Sequence, residues 1–313
     1  VPIKIQSDLP AREVLEKENV DLILSDRAKT QDIRPIRLLF LNLMPKKKET
    51  EIQFARLLGN SPLQIELTLM TTASYTPRNT EPGYLRRFYR HLADVKDDYF
   101  DGLIITGAPV ETLPFAEVDY WQELVEIMEW SRKHCFRRMG ICWGGQAMLY
   151  HFYHIDKHMI GEKRFGIYNH LLNDNSTRLM NGFTDSFPMP VSRYTENLSE
   201  EIRNTPMLEV LAESPETGPG IVRHSQSGDL YVLNHLEYDA ETLAAEYARD
   251  QDTGLNTALP ANYFPDNDPS KTPMNYWRPF AFLFITNWIH DLYQATPFDL
   301  AELGHQTAPE NED

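Results

Sequence analysis

Cysteine is almost absent. Cys135 and Cys142 are the only two in 313 residues. They stand seven positions apart, which rules out a disulfide framework and makes a reducing cytoplasm the natural setting. No apolar run approaches the roughly 20 residues that a bilayer-spanning helix needs. The first residues, Val1-Pro2-Ile3-Lys4-Ile5-Gln6-Ser7-Asp8, lack the apolar centre of a signal peptide. Neither G-x-G-x-x-G nor a Walker A loop occurs, so no nucleotide cofactor is implied. Basic residues are the minority: 30 Lys and Arg stand against 46 Asp and Glu, a net charge of -16. That balance argues against nucleic acid or an anionic membrane as main partner, and an anionic substrate would need a local basic patch. Internal repeats are missing, and the only low-complexity stretch is the polar tail from Gln306 to Asp313.

What is present is enough apolar residue, 42% of the chain, to bury a sizeable core. Residues 11–18 pattern as an amphipathic helix and 20–24 as a short strand. Pro35 to Met44 is a nearly continuous apolar run, the mark of a central parallel strand buried on both faces. A helix over 49–58, a strand over 63–70, helical potential over 82–92 and a strand over 100–106 follow. The last runs into the turn Gly107-Ala108-Pro109. Tyr120 to Trp130 places Trp121, Leu124, Val125 and Met128 on one helical face, and Arg138 to Ile141 is another apolar strand. Strands alternating with helices at this spacing predict βαβ units and a mostly parallel sheet flanked by helices, with ligands beyond the carboxyl ends of the strands. Short runs at 208–211, 221–224 and 230–234 predict antiparallel additions at one edge. Asp239 reads as the N-cap of a helix over 240–249, 254–274 as a long loop, and 277–293 as an apolar helix. The expected organisation is one domain over 1–300, an N-terminal extension (1–35) packed on it, and a polar tail (301–313).

The chemistry centres on Met139-Gly140-Ile141-Cys142-Trp143-Gly144-Gly145-Gln146-Ala147-Met148. A strand that ends at a sharp turn and restarts as a helix lifts the turn residue out of the sheet, as in a nucleophile elbow. Gly144 and Gly145 are expected to let the backbone turn without a Cβ clash, and the helix N-terminus favours a thiolate. Ninety residues on, His235 and Glu237 stand at i and i+2, pointing the same way in extended chain. A cysteine nucleophile needs a base and a group that orients the base; Cys142, His235 and Glu237 supply the three. Taken singly, Cys142 reads equally as a buried core cysteine or as a nucleophile, and the other two as a solvated strand end; the combination favours a triad. The backbone N–H of Trp143 and one from the Gly107-Ala108 turn, at Ala108, would form an oxyanion hole, because Pro109 has no N–H. Lys46 and Lys47, in the basic run to Lys48, read as a solvated charge run or as contacts for a phosphate-bearing ligand. His154 and His158 stand at i,i+4, but no carboxylate or thiol completes a metal set, so no metal is expected. A glutaminase, a cysteine hydrolase or a non-catalytic binding module on the same core remain open.

The Gly107-Ala108-Pro109 turn, the Cys142-Trp143 elbow, His235-x-Glu237-Tyr238-Asp239, Asn42-Leu43-Met44-Pro45-Lys46-Lys47 and Asn262-Tyr263-Phe264-Pro265-x-Asn267-Asp268-Pro269 together resemble the homoserine O-acyltransferase family of methionine biosynthesis. The resemblance runs to about Leu300 and implies a class I glutamine amidotransferase-like (flavodoxin-like) core. It also implies ping-pong transfer from an acyl-coenzyme A to L-homoserine through Cys142, with no permanently bound cofactor and commonly a homodimer. Lys163, Ser192 and Arg249 match positions at which the family contacts substrate. Glu111 matches the position where glutamate accompanies acetyl transfer and glycine succinyl transfer, so acetyl-coenzyme A is the expected donor and succinyl-coenzyme A the alternative. One departure is Asn234-His235-Leu236, where many relatives carry Gly-His-Pro; it removes no chemical group.

Overall fold

The computed structural model describes residues 3–5, 9–17, 22–24, 34–75, 80–173 and 177–305. The chain divides into two units: Val1–Pro109, Leu113–Met139 and Trp288–Asp313 form one, Val110–Thr112 and Gly140–Asn287 the other. The tail from Gln306 to Asp313 and the first two residues of the expected 20–24 strand lie outside the described residues.

The first unit runs β1 (Ile3–Ile5), α1 (Ala11–Lys17), β2 (Leu22–Leu24), β3 (Ile36–Leu41), α2 (Lys47–Gly59), β4 (Ile65–Met70), α3 (Pro82–Phe88), β5 (Tyr89–Arg90), α4 (Leu92–Val95), β6 (Phe100–Ile105), α5 (Trp121–His134) and most of β7 (Cys135–Ile141). Its strand order is β2-β1-β4-β3-β6-β7, and β1/β2, β1/β4, β3/β4 and β3/β6 are parallel pairs. Leu38 to Leu41 are fully buried, as an apolar strand covered on both faces must be. A Cβ on Gly102 of β6 would fall 2.9 Å from the Trp288 ring, so glycine is what lets that indole lie on the strand. Asp101, also buried, accepts both Arg34 nitrogens at 2.9 and 3.0 Å and the Arg37 N–H at 2.7 Å, which compensates its burial and fixes the start of β3 against β6.

The second unit contains the end of β7, α6 (Trp143–Tyr153), β8 (His158–Leu172), β9 (Ser186–Glu196), α7 (Ser199–Arg203), β10 (Leu208–Ser214), β11 (Gly218–His224), β12 (Leu230–Val232), α8 (Thr242–Asp252) and the first part of α9 (Arg278–Ala295). From β7 the order is β12-β11-β10-β8-β9, with antiparallel pairs from β12 through β9. The short runs in the sequence are thus antiparallel additions, as expected.

The long β8/β9 hairpin was not foreseen. Its residues mix charge and apolar groups without clean alternation, and β9 carries Pro188 and Pro190, which argue against a strand. Proline is tolerated there because β9 is the edge strand.

The 254–274 loop is docked on β8. The Ile167 N–H donates to the Ala261 carbonyl (2.8 Å) and the Ala261 N–H to the Phe165 carbonyl (2.9 Å). Gly166 between them has φ 145°, and a Cβ there would fall 2.3 Å from the Ala261 oxygen; only glycine fits. Phe165, Ile167, Tyr238, Leu243, Tyr263, Phe264 and Trp277 pack as one apolar cluster in this unit. One local expectation fails: α8 begins at Thr242, not 240, and Asp239 is not its cap. Asp239 instead accepts from the Arg278 guanidinium at 3.3 Å, and its N–H donates to Thr242 Oγ1.

Candidate active site

Cys142 occupies the turn between β7 and α6 with φ 49° and ψ −116°. A non-glycine residue seldom takes such a φ, and holding it costs on the order of 1–3 kcal/mol. Two backbone bonds impose it: the Cys142 N–H donates to the Val232 carbonyl at 2.6 Å, and the Cys142 carbonyl accepts from Gln146 at 3.0 Å. The glycines play a different part from the one expected. Neither Gly144 nor Gly145 has positive φ; the cysteine itself makes the turn. A Cβ on Gly140 would fall 2.6 Å from Gly145 Cα, so Gly140 and Gly145 are small because strand and helix touch backbone to backbone. The sulfur thereby sits at the start of α6, beside the first N–H groups of the helix, which have no intrahelical acceptor.

His235 hydrogen-bonds Cys142, and its Nδ1 lies 2.7 Å from Glu237 Oε1. All three residues are buried. The His235–Glu237 contact does not arise in extended chain, where i and i+2 stand about 6–7 Å apart. β12 has already ended at Val232, and Leu236-Glu237 form a turn that folds the carboxylate back onto the ring. Burial alone would push the His235 imidazole down. The charges of Cys142 and Glu237 and the hydrogen bonds to both hold it well above the ordinary histidine range. The ring also stacks on Tyr238, centroids 4.1 Å apart and planes at 16°.

Asn234, the preceding residue, is fixed from behind. Its Nδ2 donates to His170 Nε2 at 2.8 Å, and its Oδ1 accepts from the buried Arg193. His170 Nδ1 faces the Tyr168 carbonyl at 3.0 Å, so the neutral ring donates at Nδ1 and accepts at Nε2. Burial holds His170 down at about 4, aided by the Arg193 charge and opposed by the Tyr168 bond. The sign follows: a folded-state value below the ordinary 6.5 means that the unfolded chain takes the proton first. Stability is complete above pH 6.5 and falls, by up to about 3 kcal/mol, as pH drops towards 4. Urea midpoints measured across this window will show the loss, and His170→Gln, which cannot titrate, will remove that part of it.

Lys163, on β8, and Ser192, on β9, meet α8 at a residue that the sequence reading omitted. Glu246 Oε2 accepts from Ser192 Oγ at 2.5 Å and from Lys163 Nζ at 3.3 Å, while Glu246 Oε1 accepts from the Tyr238 hydroxyl at 2.9 Å. Lys163 also donates to Asp250 at 3.0 Å, and Arg249 donates to the other oxygen of Asp250 through Nε and Nη2. The Lys163 side chain is only 6% exposed, whereas that of Arg249 is 62% exposed. Residue type alone places Lys163 and Ser192 on a surface; the hairpin buries them. The available signal was the spacing of Glu246, Arg249 and Asp250, which share one helical face at i, i+3 and i+4.

Glu111 belongs to the same unit. Its Oε2 accepts the Tyr194 N–H at 3.0 Å and lies 3.5 Å from Thr195 Oγ1, which itself donates to Gln146 at 3.1 Å. Burial raises the Glu111 carboxyl above the ordinary range, and the Tyr194 N–H, Lys163, His235 and Arg193 pull it part of the way back. Glu111 is therefore a half-buried, anchored carboxylate within the field of His235.

Ala108, Lys46 and Lys47 lie in the first unit. Ala108 follows the end of β6. Lys46 is exposed and pairs with Glu49 at 3.2 Å. Lys47 is buried, donates to the Asn42 carbonyl and lies over the Tyr89 ring; burial brings its amine down to about 8 against the partial opposition of Glu51. Two of the discounted histidines have local roles: His154 is the left-handed C-cap of α6, and His158 meets Glu201 at 3.1 Å.

The profile of the family described as homoserine O-succinyltransferase matches residues 2–298. The homoserine O-acetyltransferase of Ruegeria sp. (strain TM1040) is 46% identical over 98% of this chain and 98% of its own. That of Brevibacillus brevis is 48% identical over 96% and 98%, and that of Thermotoga neapolitana 49% identical over 97% and 100%. Among solved structures, a glutamine amidotransferase from Methylobacillus flagellatus superposes with a TM-score of 0.52 at 12% identity, covering 83% of this chain and 95% of its own. One from Thermotoga maritima gives 0.50 at 12% identity over 84% and 100%. At such identities the likeness is one of fold. The sequence matches carry more: the chain belongs to the homoserine O-succinyltransferase family, and it is an acyltransferase.

Proposed function

We propose that this chain transfers the acetyl group of acetyl-coenzyme A to the hydroxyl of L-homoserine through a thioester on Cys142. The observation that carries this reading is the order of contact Cys142–His235–Glu237 at a strained strand-to-helix turn. In the resting pair the proton resides on His235 and sulfur is the nucleophile. Sulfur attacks the thioester carbonyl, and the oxyanion meets the N–H of Trp143 at the start of α6. Collapse expels coenzyme A as a thiolate, which takes the proton from His235. Exchange of one thioester for another is nearly balanced in energy, so cysteine suits this donor.

Acylation removes the negative charge from sulfur. With it goes one of the two charges that held a proton on His235, and the neutral ring becomes the base for the second half. It accepts the homoserine hydroxyl proton as the oxygen attacks the acyl-enzyme, and O-acetyl-L-homoserine leaves. Glu237 keeps Nδ1 protonated throughout, so the proton that comes and goes is the one on Nε2, which is free to accept once the acyl-enzyme has formed. Lys163, Ser192 and Arg249 receive the amino-acid end, for which a guanidinium suits the α-carboxylate. Intact-protein mass after mixing with acetyl-coenzyme A alone tests the intermediate: one acetyl group is added, and it disappears when L-homoserine follows. No adduct on a folded wild-type enzyme would refute the covalent route.

Succinyl transfer is the second reading, favoured by the name of the matching family. The three acetyltransferase relatives and the half-buried Glu111 carboxylate weigh against it. For the donor's phosphates we propose the exposed Lys46 and its neighbour Lys48, since the Lys47 amine is engaged with Asn42. Glutamine at both positions will raise the donor KM several-fold with little change in kcat, as read from initial rates at saturating homoserine. The reaction is a step of methionine biosynthesis, and a cytoplasmic homodimer is the expected state.

A further inference from the structure

We infer that Tyr238 is a positioning residue for His235, tying the base to the amino-acid end of the site through Glu246. The inference rests on the reading above, in which homoserine occupies the Lys163–Ser192–Arg249 cluster. Tyr238 touches both ends. Its ring lies flat on His235 with centroids 4.1 Å apart, and its hydroxyl donates to Glu246 Oε1 at 2.9 Å. The other oxygen of Glu246 holds Ser192 and Lys163.

The Tyr238 backbone is fixed separately: its carbonyl accepts from Trp277 Nε1 at 2.9 Å and from Asn275 Nδ2 at 3.3 Å. The hydroxyl bond therefore sets the ring, not the chain. Packing alone accounts for an aromatic residue here, since Tyr238 is a member of the buried apolar cluster. It does not account for the hydroxyl, which phenylalanine would omit.

The effect is unequal between the two half-reactions. Before acylation the His235 ring has an anchor at each nitrogen, Glu237 on one and Cys142 on the other. Once sulfur is a thioester the second anchor has lost its charge. The ring is then held by Glu237 and by the Tyr238 face. The ammonium and hydroxyl of homoserine are only four bonds apart, so a ring that shifts relative to Glu246 misplaces the base relative to the attacking oxygen.

The test separates the halves in Tyr238→Phe and Tyr238→Leu. Acyl-enzyme formation is followed as the burst of coenzyme A release from acetyl-coenzyme A alone. Its decay is followed after mixing preformed acyl-enzyme with L-homoserine over a range of concentrations. Losing a hydrogen bond to a carboxylate predicts that Tyr238→Phe slows maximal decay about tenfold or more relative to formation. Tyr238→Leu, which also loses the stack, will slow both, and decay the more. If both variants keep the wild-type ratio of the two rates, Tyr238 serves packing alone and the inference is wrong. A Tyr238→Phe protein that does not fold leaves the decision to the same ratio in Tyr238→Leu. Wild-type enzyme that forms no acyl-enzyme overturns the Cys142 reading instead, so the two failures are distinct.

Discussion

Alanine at position 142 will lower kcat/KM by a factor on the order of 10^4 or more, with acyl-enzyme undetectable. The expectation comes from geometry. The sulfur is in hydrogen-bond contact with His235, and the backbone there is held at φ 49° to present it. Serine will not rescue, because a hydroxyl is a far weaker acid and a poorer nucleophile towards a thioester than a thiol. The same geometry makes a second prediction about stability. Glycine adopts a φ of 49° with ψ near −116° freely, whereas alanine retains the strain of cysteine. Cys142→Gly will therefore be inactive yet more stable than Cys142→Ala by about 1 kcal/mol or more. Paired urea titrations measure this difference, and equal midpoints would mean that the turn stores no strain.

Glycine at position 111 will reverse the donor preference from acetyl- to succinyl-coenzyme A. The added group of succinate is a carboxylate. Two like charges about 4 Å apart at an effective dielectric near 20 repel by on the order of 4 kcal/mol, which corresponds to roughly a thousandfold in kcat/KM. Removing Glu111 removes both the charge and the volume. Part of the gain is offset, because the part-buried Tyr194 N–H loses its acceptor, at a cost of about 1 kcal/mol. Glu111→Gln keeps the volume and an acceptor while losing the charge, so it will fall between wild type and Glu111→Gly. A pH dependence follows with a definite sign. Burial raises the Glu111 carboxyl, so lowering pH through that raised value protonates it, and discrimination against the succinyl donor weakens. Discrimination that is flat in pH, or that strengthens towards acid, would assign the selectivity to volume alone.

Much of this was legible in the sequence because it is local and periodic. The apolar runs of β3 and β6 and the stripe of α5 announce themselves, and so does a cysteine between a strand and two glycines. The roles of those glycines were not legible. Nothing in the order of residues tells that Cys142 takes the positive φ while Gly140 and Gly145 make a backbone contact. His235 and Glu237 could be paired by eye, but the turn that joins them follows the early end of β12.

The larger omission is the β8/β9 hairpin, and with it the whole cluster of Lys163, Ser192 and Glu246. Lys163 lies 83 and 87 residues from the carboxylates that hold it, a separation that no periodicity reports. Without the hairpin Lys163 and Ser192 are anonymous, and they entered only through the family resemblance. Glu246 did not enter at all, though it joins Tyr238, Ser192 and Lys163. Buried polar groups such as Arg193, Asn234 and His170 are invisible to hydropathy for the same reason: each is satisfied by partners distant in sequence.

Coenzyme A release in the presence of L-homoserine, with acetyl- and succinyl-coenzyme A compared side by side and Cys142→Ala as control, tests the central claim most directly. The account predicts rapid homoserine-dependent release from acetyl-coenzyme A, slow release from succinyl-coenzyme A, and none above background in the control. Release that does not require homoserine, or that survives in Cys142→Ala, would contradict it.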